Sequence, residues 1–323
     1  MLGGLARRAT LLKNLQNQGD PILAVDSGDL FFDQTTDQAD VKKVLTKARL
    51  IAQTYRQMGI VAVNVGDRDL SQGVDFLKQE AAQGLPLISA NLVGAVQRTP
   101  IFPSYVIREV SGVRIAFVGL LRSPLPPAIE KSLEGKAVVE DPMEAARKVV
   151  AELKGKADLI LLLSDLGWDQ DIKIAKDIAG IPFILGGHEG RAITGPFQQG
   201  ETFIVQSYQK GMYAGVLTLP LEKPGSLFQD EGRINRIQEE LNELDRRSRD
   251  LRSAKERNPH LDIRPAIKGI KQQKHKLQKE LKEAQKTAAQ GNRFRWTLEP
   301  ISSSLAEDAE VHSLIEATGI KQD

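Results

Sequence analysis

The 323 residues carry 44 Lys and Arg against 42 Asp and Glu, a net charge of +2, with 41% hydrophobic residues and no cysteine. That length allows one large core or two smaller ones, the near-neutral balance gives no global case for a nucleic-acid partner, and the missing cysteine excludes disulfides, thiolate metal sites and a cysteine nucleophile. No apolar run reaches the roughly 18 residues of a membrane span, and the opening "MLGGLARRAT" lacks the apolar centre of a signal peptide, so the chain as written reads as soluble and cytoplasmic.

Leu5, Leu11, Leu12 and Leu15 recur at helical spacing, and "DPILAV" then reads as a short buried strand running into "DSGDLFFD". A helical segment from about 40 to 58 precedes the strand-like "GIVAVNVG", and another precedes "LPLISANL". Such alternation predicts a layered α/β core. "YVIREVSGVRIAFVGL" alternates about Gly112 as a hairpin does. A helix near 143–154 feeds the wholly apolar "ADLILLLSD", and one near 170–179 feeds "PFILGGHEG", with "TFIVQSYQ" and "AGVLTLPL" as further strands.

After Pro224 the pattern changes. Ile234, Ile237, Leu241, Leu244 and Leu251 fall on a three-and-four spacing, and beyond the turn "NPHLDIRP" it returns in Ile267, Ile270, Leu277, Leu281 and Ala284. Two such segments predict an antiparallel helical coiled-coil hairpin, with Ser248 and Lys274 as polar breaks in its seam. "RFRWTLEPI" is expected to return beside "AGVLTLPL", so that 1–224 forms a core, 225–291 an inserted hairpin, and 292–323 the returning strand and last helix of the core. Between 230 and 290 there are sixteen Lys or Arg against eleven Asp or Glu. This basic excess reads first as a solvated helical face, and second as a surface for an acidic protein partner or anionic lipid.

Four strand ends carry the chemistry: Asp29 in "SGDLF", Asp67 in "VGDRD", Asp165 in "LSDLG" and His188 in "GGHEG". Open α/β sheets place their sites at the carboxyl ends of strands. Three carboxylates gathered at one point need a cation, because like charges raise one another's pKa until one protonates. A single divalent metal would serve: oxygen ligands suit Mg, Ca or Mn, and one imidazole admits Fe or Zn. The alternative is Arg68, whose guanidinium beside the carboxylates would take the cation's place and leave an ion-paired core without a metal. Arg68 has a third reading, as a phosphate or anion binder. His260, His275 and His312 read as solvated surface residues, and Trp168 as an aromatic packed on the sheet.

"GGLARRATLLKNL", "LAVDSGDLF", "LISANL", "GVRIAFVGL", "ADLILLLSDLG", "GIPFILGGH" and "FIVQSYQKGMYAGVLTL" occur in the order of a known family, as does "LEPISSSLAEDAEV" near the end. On these segments the chain resembles the calcineurin-like metallophosphoesterases, 5'-nucleotidase or UshA-like branch. The resemblance implies a four-layer α-β-β-α sandwich, a site of two metals, and hydrolysis of a small phosphorylated substrate. It also resembles a UshA-like group that includes selenoproteins.

The departures from the family's motifs concern the site. The family's first motif, Asp-x-His, lies upstream of "GGLAR", so the resemblance implies a native chain that begins earlier, with its own export signal and a periplasmic location. It also implies that a chain starting at Met1 lacks a central strand. The family's Gly-Asn-His-Glu or Gly-Asn-His-Asp loop stands here as Gly66-Asp67-Arg68-Asp69, with Arg68 in the place of a catalytic His. Asp165 replaces a ligand His, and Gly190 replaces the second His of Gly-His-x-His. What the resemblance leaves is at most one metal, held by Asp29, Asp67, Asp165 and His188, with phosphate-ester hydrolysis weak or altered. The alternative is a non-catalytic binding or scaffold protein with a partner-binding coiled coil.

Overall fold

The structure, a computed structural model, describes residues 3–32, 41–191, 193, 195–208, 211–220, 227–287 and 291–319. Two units divide the chain: Met1–Val216 together with Thr297–Asp323, and Leu217–Trp296. In the first, α1 (Leu5–Gln16) leads to β1 (Val25–Asp26), followed by α2 (Val41–Gln57), β2 (Ala62–Asn64), α3 (Val74–Ala82) and β3 (Leu87–Ile88). The helical crossovers return the chain in the same direction, so the strands pair in parallel in the order β1-β2-β3.

The chain continues through β4 (Leu92–Gly94) into β5 (Tyr105–Val110) and β6 (Val113–Leu121). These two form the expected hairpin, pairing Val110 with Val113 about a two-residue turn in which Ser111 and Gly112 both take positive φ. Next come α4 (Pro127–Ser132), β7 (Ala137–Val139), α5 (Pro142–Leu153), β8 (Leu159–Asp165), α6 (Trp168–Asp177), β9 (Phe183–Gly186), β10 (Phe197–Gln199) and β11 (Thr202–Gln206). The larger sheet has the order β10-β11-β9-β8-β6-β5, with β6, β8, β9 and β11 parallel. Every residue of β8 is buried, as an apolar run covered on both faces requires. One core gathers Phe31, Phe32, Tyr55, Leu70 and Leu77 by the small sheet, and another gathers Leu120, Leu162, Ile174, Ile184 and Ile204 by the large one. Helices start where local chemistry tells them to: the Asp141 carboxylate accepts from the Glu144 N–H at 2.9 Å, with Pro142 at the first helical position. The result is an α/β sandwich.

β12 (Tyr213–Thr218) is followed by β13 (Phe228–Asp230), α7 (Arg233–Arg257), α8 (Arg264–Thr287), β14 (Asn292–Pro300) and α9 (Ala309–Ala317). β14 lies beside β12 in the strand order, and in the first unit the Ile301 N–H donates to the Met212 carbonyl at 2.9 Å. In the second unit β13 pairs in parallel with β14, and α7 and α8 pack as a helical hairpin. Ile237, Leu241 and Leu244 meet Ile270, Leu277 and Ala284 along its seam. The polar break at Lys274 has a physical reason, since its ammonium reaches Asp245 of the facing helix at 2.5 Å.

The opening helix differs from its apolar pattern. Its buried residues are Ala6 and Ala9, not its leucines, because these small side chains let α1 lie close against Val311 and Ile315 of α9.

Candidate metal centre

Each candidate residue sits where a parallel strand gives way to a loop. Asp29 lies three residues beyond β1, Asp67 three beyond β2, Asp165 ends β8, and His188 lies two beyond β9. The loops interlock through glycines. Asp29 has a left-handed φ of 58°, and a Cβ at Gly66 would stand 2.3 Å from the Asp29 backbone N and 2.4 Å from its Oδ1. Only glycine at position 66 leaves room for that turn.

Asp69 fixes the same two loops from below. Its buried carboxylate accepts N–H bonds from Asp29 (3.0 Å), Phe31 (2.9 Å) and Gly66 (3.0 Å). Burial and the Asp29 charge push Asp69 up to about 8, against the pull of those donors. Further back, the Asp26 carboxylate accepts from the Tyr55 hydroxyl at 2.7 Å, and Arg8 donates to the same hydroxyl. Asn64 donates to the Ser27 and Leu120 carbonyls at 3.0 and 2.9 Å, joining the end of β2 to both neighbouring segments.

These supports bring all four candidates together. One ligand atom from each of Asp29, Asp67, Asp165 and His188 lies within 4.8 Å of the others. His188 Nδ1 stands 3.2 Å from Asp165 Oδ1, 3.4 Å from Asp29 Oδ2 and 3.7 Å from Asp67 Oδ1. A cation roughly 2.1 Å from each donor would set neighbouring donors roughly 3.0–3.4 Å apart, so the cage is close to that size. Two buried oxygens facing it, Asp29 Oδ2 and Asp67 Oδ1, make no hydrogen bond. Oxygen-rich donors with one imidazole and two unsatisfied carboxylate oxygens fit a divalent cation.

Two guanidiniums adjoin the cage. Arg68 Nε lies 3.3 Å from Asp29 Oδ2, and the Arg68 backbone N–H donates to Asp29 Oδ1 at 3.0 Å. Arg122, at the end of β6, places Nη1 2.8 Å from His188 Nε2 and 3.8 Å from Asp67 Oδ2. Arginine is only a donor, so Nε2 accepts and the neutral imidazole carries its proton on Nδ1, toward Asp165. The Asp165 and Asp29 carboxylates beside Nδ1 push His188 up to about 10, while Arg122 at Nε2 opposes a second proton there. Asp165 and Asp67 are both raised, by burial first and by the Asp29 charge second.

Comparison with known proteins bears on the family. No family model matches the chain. A 5'-nucleotidase of Vibrio cholerae is 28% identical over 248 residues, covering 66% of this chain and 44% of that protein. Among solved structures, the sulfate thiohydrolase SoxB of Thermus thermophilus superposes with a TM-score of 0.69 at 17% identity, over 98% of this chain and 46% of the other. The calcineurin-like phosphoesterase YfkN of Bacillus subtilis superposes at 0.63 and 20% identity, over 98% of this chain and 88% of the other. In sequence the chain is similar to 5'-nucleotidases and related nucleotide phosphoesterases, and in fold to calcineurin-like phosphoesterases. It spans less than half the length of the Vibrio 5'-nucleotidase that it matches.

The remaining sequence candidates fall outside the cage. His260 and His275 are exposed, and His312 is a surface residue 2.8 Å from Glu307. Trp168 packs on Phe197 of β10 with ring centroids 5.1 Å apart, while the Arg191 guanidinium lies 5.4 Å over its ring. Sequence reasoning missed Arg122 and the Asp26–Tyr55–Arg8 chain, and placed Asp69 at the end of the family-like loop without giving it a role. The strand-end rule that finds Asp165 also applies to Arg122, which directly follows "VGLL". The loop motif marks the position of Asp69 but not its role, since its partners include backbone groups up to 40 residues away.

Proposed function

We propose that this chain is a divergent phosphoesterase domain holding at most one divalent cation on Asp29, Asp67, Asp165 and His188, and acting weakly or with altered chemistry on a small phosphorylated substrate. The observation that carries this reading is the pair of buried, unsatisfied carboxylate oxygens inside a four-residue cage of metal-ligand size. A cation held there would supply Lewis acidity toward a phosphoryl oxygen and neutralise developing charge. The chain's own residues do the rest. Asp69 and Gly66 keep the two carboxylate loops in register. Arg68 and Arg122 present two partly exposed guanidiniums beside the cage, suited to orient a phosphate by charge-assisted hydrogen bonds. The relatives' names support a nucleotide-like phosphate ester as substrate class.

The test is calorimetric titration of chelator-treated protein with Mn(II), Fe(II), Mg(II), Ca(II) and Zn(II), alongside turnover of p-nitrophenyl phosphate and AMP. One bound ion per chain, weakened at least a hundredfold in Asp67→Ala and Asp165→Ala, supports the reading. Protein that binds none of the five ions at millimolar concentration sinks it. Fractionation of native cells and peptide mapping of the native amino terminus test the periplasmic and selenoprotein-like parts of the resemblance.

A second reading has its own support: two guanidiniums already stand against the acidic cluster, at 3.3 Å and 3.8 Å, and two of its carboxyls are pushed toward their protonated forms. In that reading the site is a charge-balanced core without turnover, and the helical hairpin is a binding element. Arg68→Ala separates the two, because it destabilises an ion-paired core but leaves metal affinity equal or greater in a metal site.

A further inference from the structure

We propose that the outer face of α8 docks on an anionic bilayer surface. This inference concerns the second unit and does not depend on the phosphoesterase reading. α8 holds eight Lys or Arg and two Glu. Lys268, Lys271, His275, Lys279 and Lys282, with Arg264 and Lys286 at the ends, follow one another at steps of three or four residues, and all are exposed. At 100° per residue these seven positions share an arc of about 80°, on the side away from the seam residues Ile270, Leu277 and Ala284. No carboxylate lies within the arc. Arg264 pairs with Asp262 and Lys286 approaches Glu283, but Lys268, Lys271, Lys279 and Lys282 have no ion pair among the described residues.

Some of the hairpin's other polar side chains are paired within or across the helices. Lys274 reaches Asp245, Gln273 reaches Glu240, and Lys276 faces Glu280. The outer arc alone is left with one sign of charge, running straight for roughly 33 Å at 1.5 Å per residue.

Shape and residue type choose among polyanions. A straight row meets a plane along its whole length, whereas a nucleic-acid duplex curves away from it. The row is mostly lysine, a hydrated point charge suited to a diffuse surface potential, and not the arginine fork that reads individual phosphates. No Phe, Tyr or Trp occurs between 233 and 287, so nothing there stacks on unpaired bases. The outer face also lacks an apolar stripe, and no helix among the described residues is long and apolar enough to cross a membrane. The contact is therefore adsorption and not insertion.

The experiment is flotation of the full chain with vesicles of phosphatidylcholine alone, or with about 30% phosphatidylserine, at about 50 and about 300 mM NaCl. Binding is expected only to the anionic vesicles, and falls at the higher salt. Combined Lys268→Gln, Lys271→Gln, Lys279→Gln and Lys282→Gln, which keeps good helix formers, is expected to lower the partition coefficient more than a hundredfold, at about fivefold per lysine. Circular dichroism checks that the variant stays helical. A charge-matched control, Arg247→Gln, Arg249→Gln, Arg252→Gln and Arg257→Gln on α7, is expected to lose far less. Equal binding to neutral vesicles, no binding to anionic ones at low salt, an equal loss in the α7 control, or tighter binding to duplex DNA than to vesicles each overturns the proposal.

Discussion

The acidic cage of the first unit and the helical hairpin of the second are both built around charged residues, and they use charge in opposite ways. In the cage, Asp67, Asp69 and Asp165 are fully buried, and their protonation is set by burial and by one another. In the hairpin, charges stand in water beside a narrow apolar seam, and the ion pair Lys274–Asp245 is partly exposed. The same side chains are therefore structural determinants in one region and nearly neutral to stability in the other. Context decides which, because a buried charge without its partners keeps its desolvation cost while an exposed one is rehydrated.

The contrast is broken most severely at Asp69. Asp69→Ala leaves three N–H donors of the site loops without their acceptor, and is expected to destabilise the first unit by about 3–5 kcal/mol, read as a fall in the urea midpoint. Equal stability of this variant would mean that the loops do not depend on that carboxylate. In the hairpin the comparable loss comes from an apolar residue: Leu241→Ala is expected to cost about 2–4 kcal/mol of the second unit's stability, followed by helical circular dichroism.

A pH series sharpens the comparison further. Burial pushes Asp171 up to about 8, well above an unfolded carboxyl near 3.8, and the Ser164 hydroxyl at 2.5 Å only partly offsets that. A raised folded pKa favours the protonated native state. Its contribution is fully present below the unfolded value and is lost as pH rises toward and through about 8. Asp171→Asn is expected to flatten the stability-versus-pH profile between about pH 4 and 8, by up to about 1.4 kcal/mol per pH unit, in denaturant titrations of metal-free protein. The raised Asp67, Asp165 and His188 act in the same direction on ligand binding: protons compete with a cation, so Mn(II) affinity is expected to increase from pH 6 to pH 9 in calorimetry. The smallest effect belongs to the exposed pair, where Asp245→Asn is expected to change stability by less than about 1 kcal/mol, and less again in high salt.

The long periodic elements and the strand ends were legible in the sequence, because burial writes itself into residue spacing. The buried run of β8, the hairpin about Gly112 and the seam of α7 and α8 are each visible as pattern before any contact is known. Asp29, Asp67, Asp165 and His188 were legible for a different reason, since a polar residue closing an apolar strand is conspicuous. The role of Asp69 was not, because it is written in backbone donors from two loops, which no side-chain pattern records. Arg122 was hidden by its ordinariness: a basic residue after a strand reads as solvent-facing until the fold brings His188 to it. The opening helix misled through its leucines, because close helix packing selects for small residues and leaves the larger ones at the margin.

The lack of space at Gly66 has a consequence for how this protein can change over time. The Asp29 and Asp165 carboxylates accept loop N–H groups from Arg68 and Asp67 while the Asp67 and His188 side chains hold no backbone group among the described residues, and any side chain at position 66 collides with the turn that carries Asp29. Drift is thus freer to rewrite Asp67 and His188 than the mould that holds them. A library that randomises both loops and selects only for folding should return glycine at 66 with varied residues at 67, so that the contour of a site persists after its original occupants have gone.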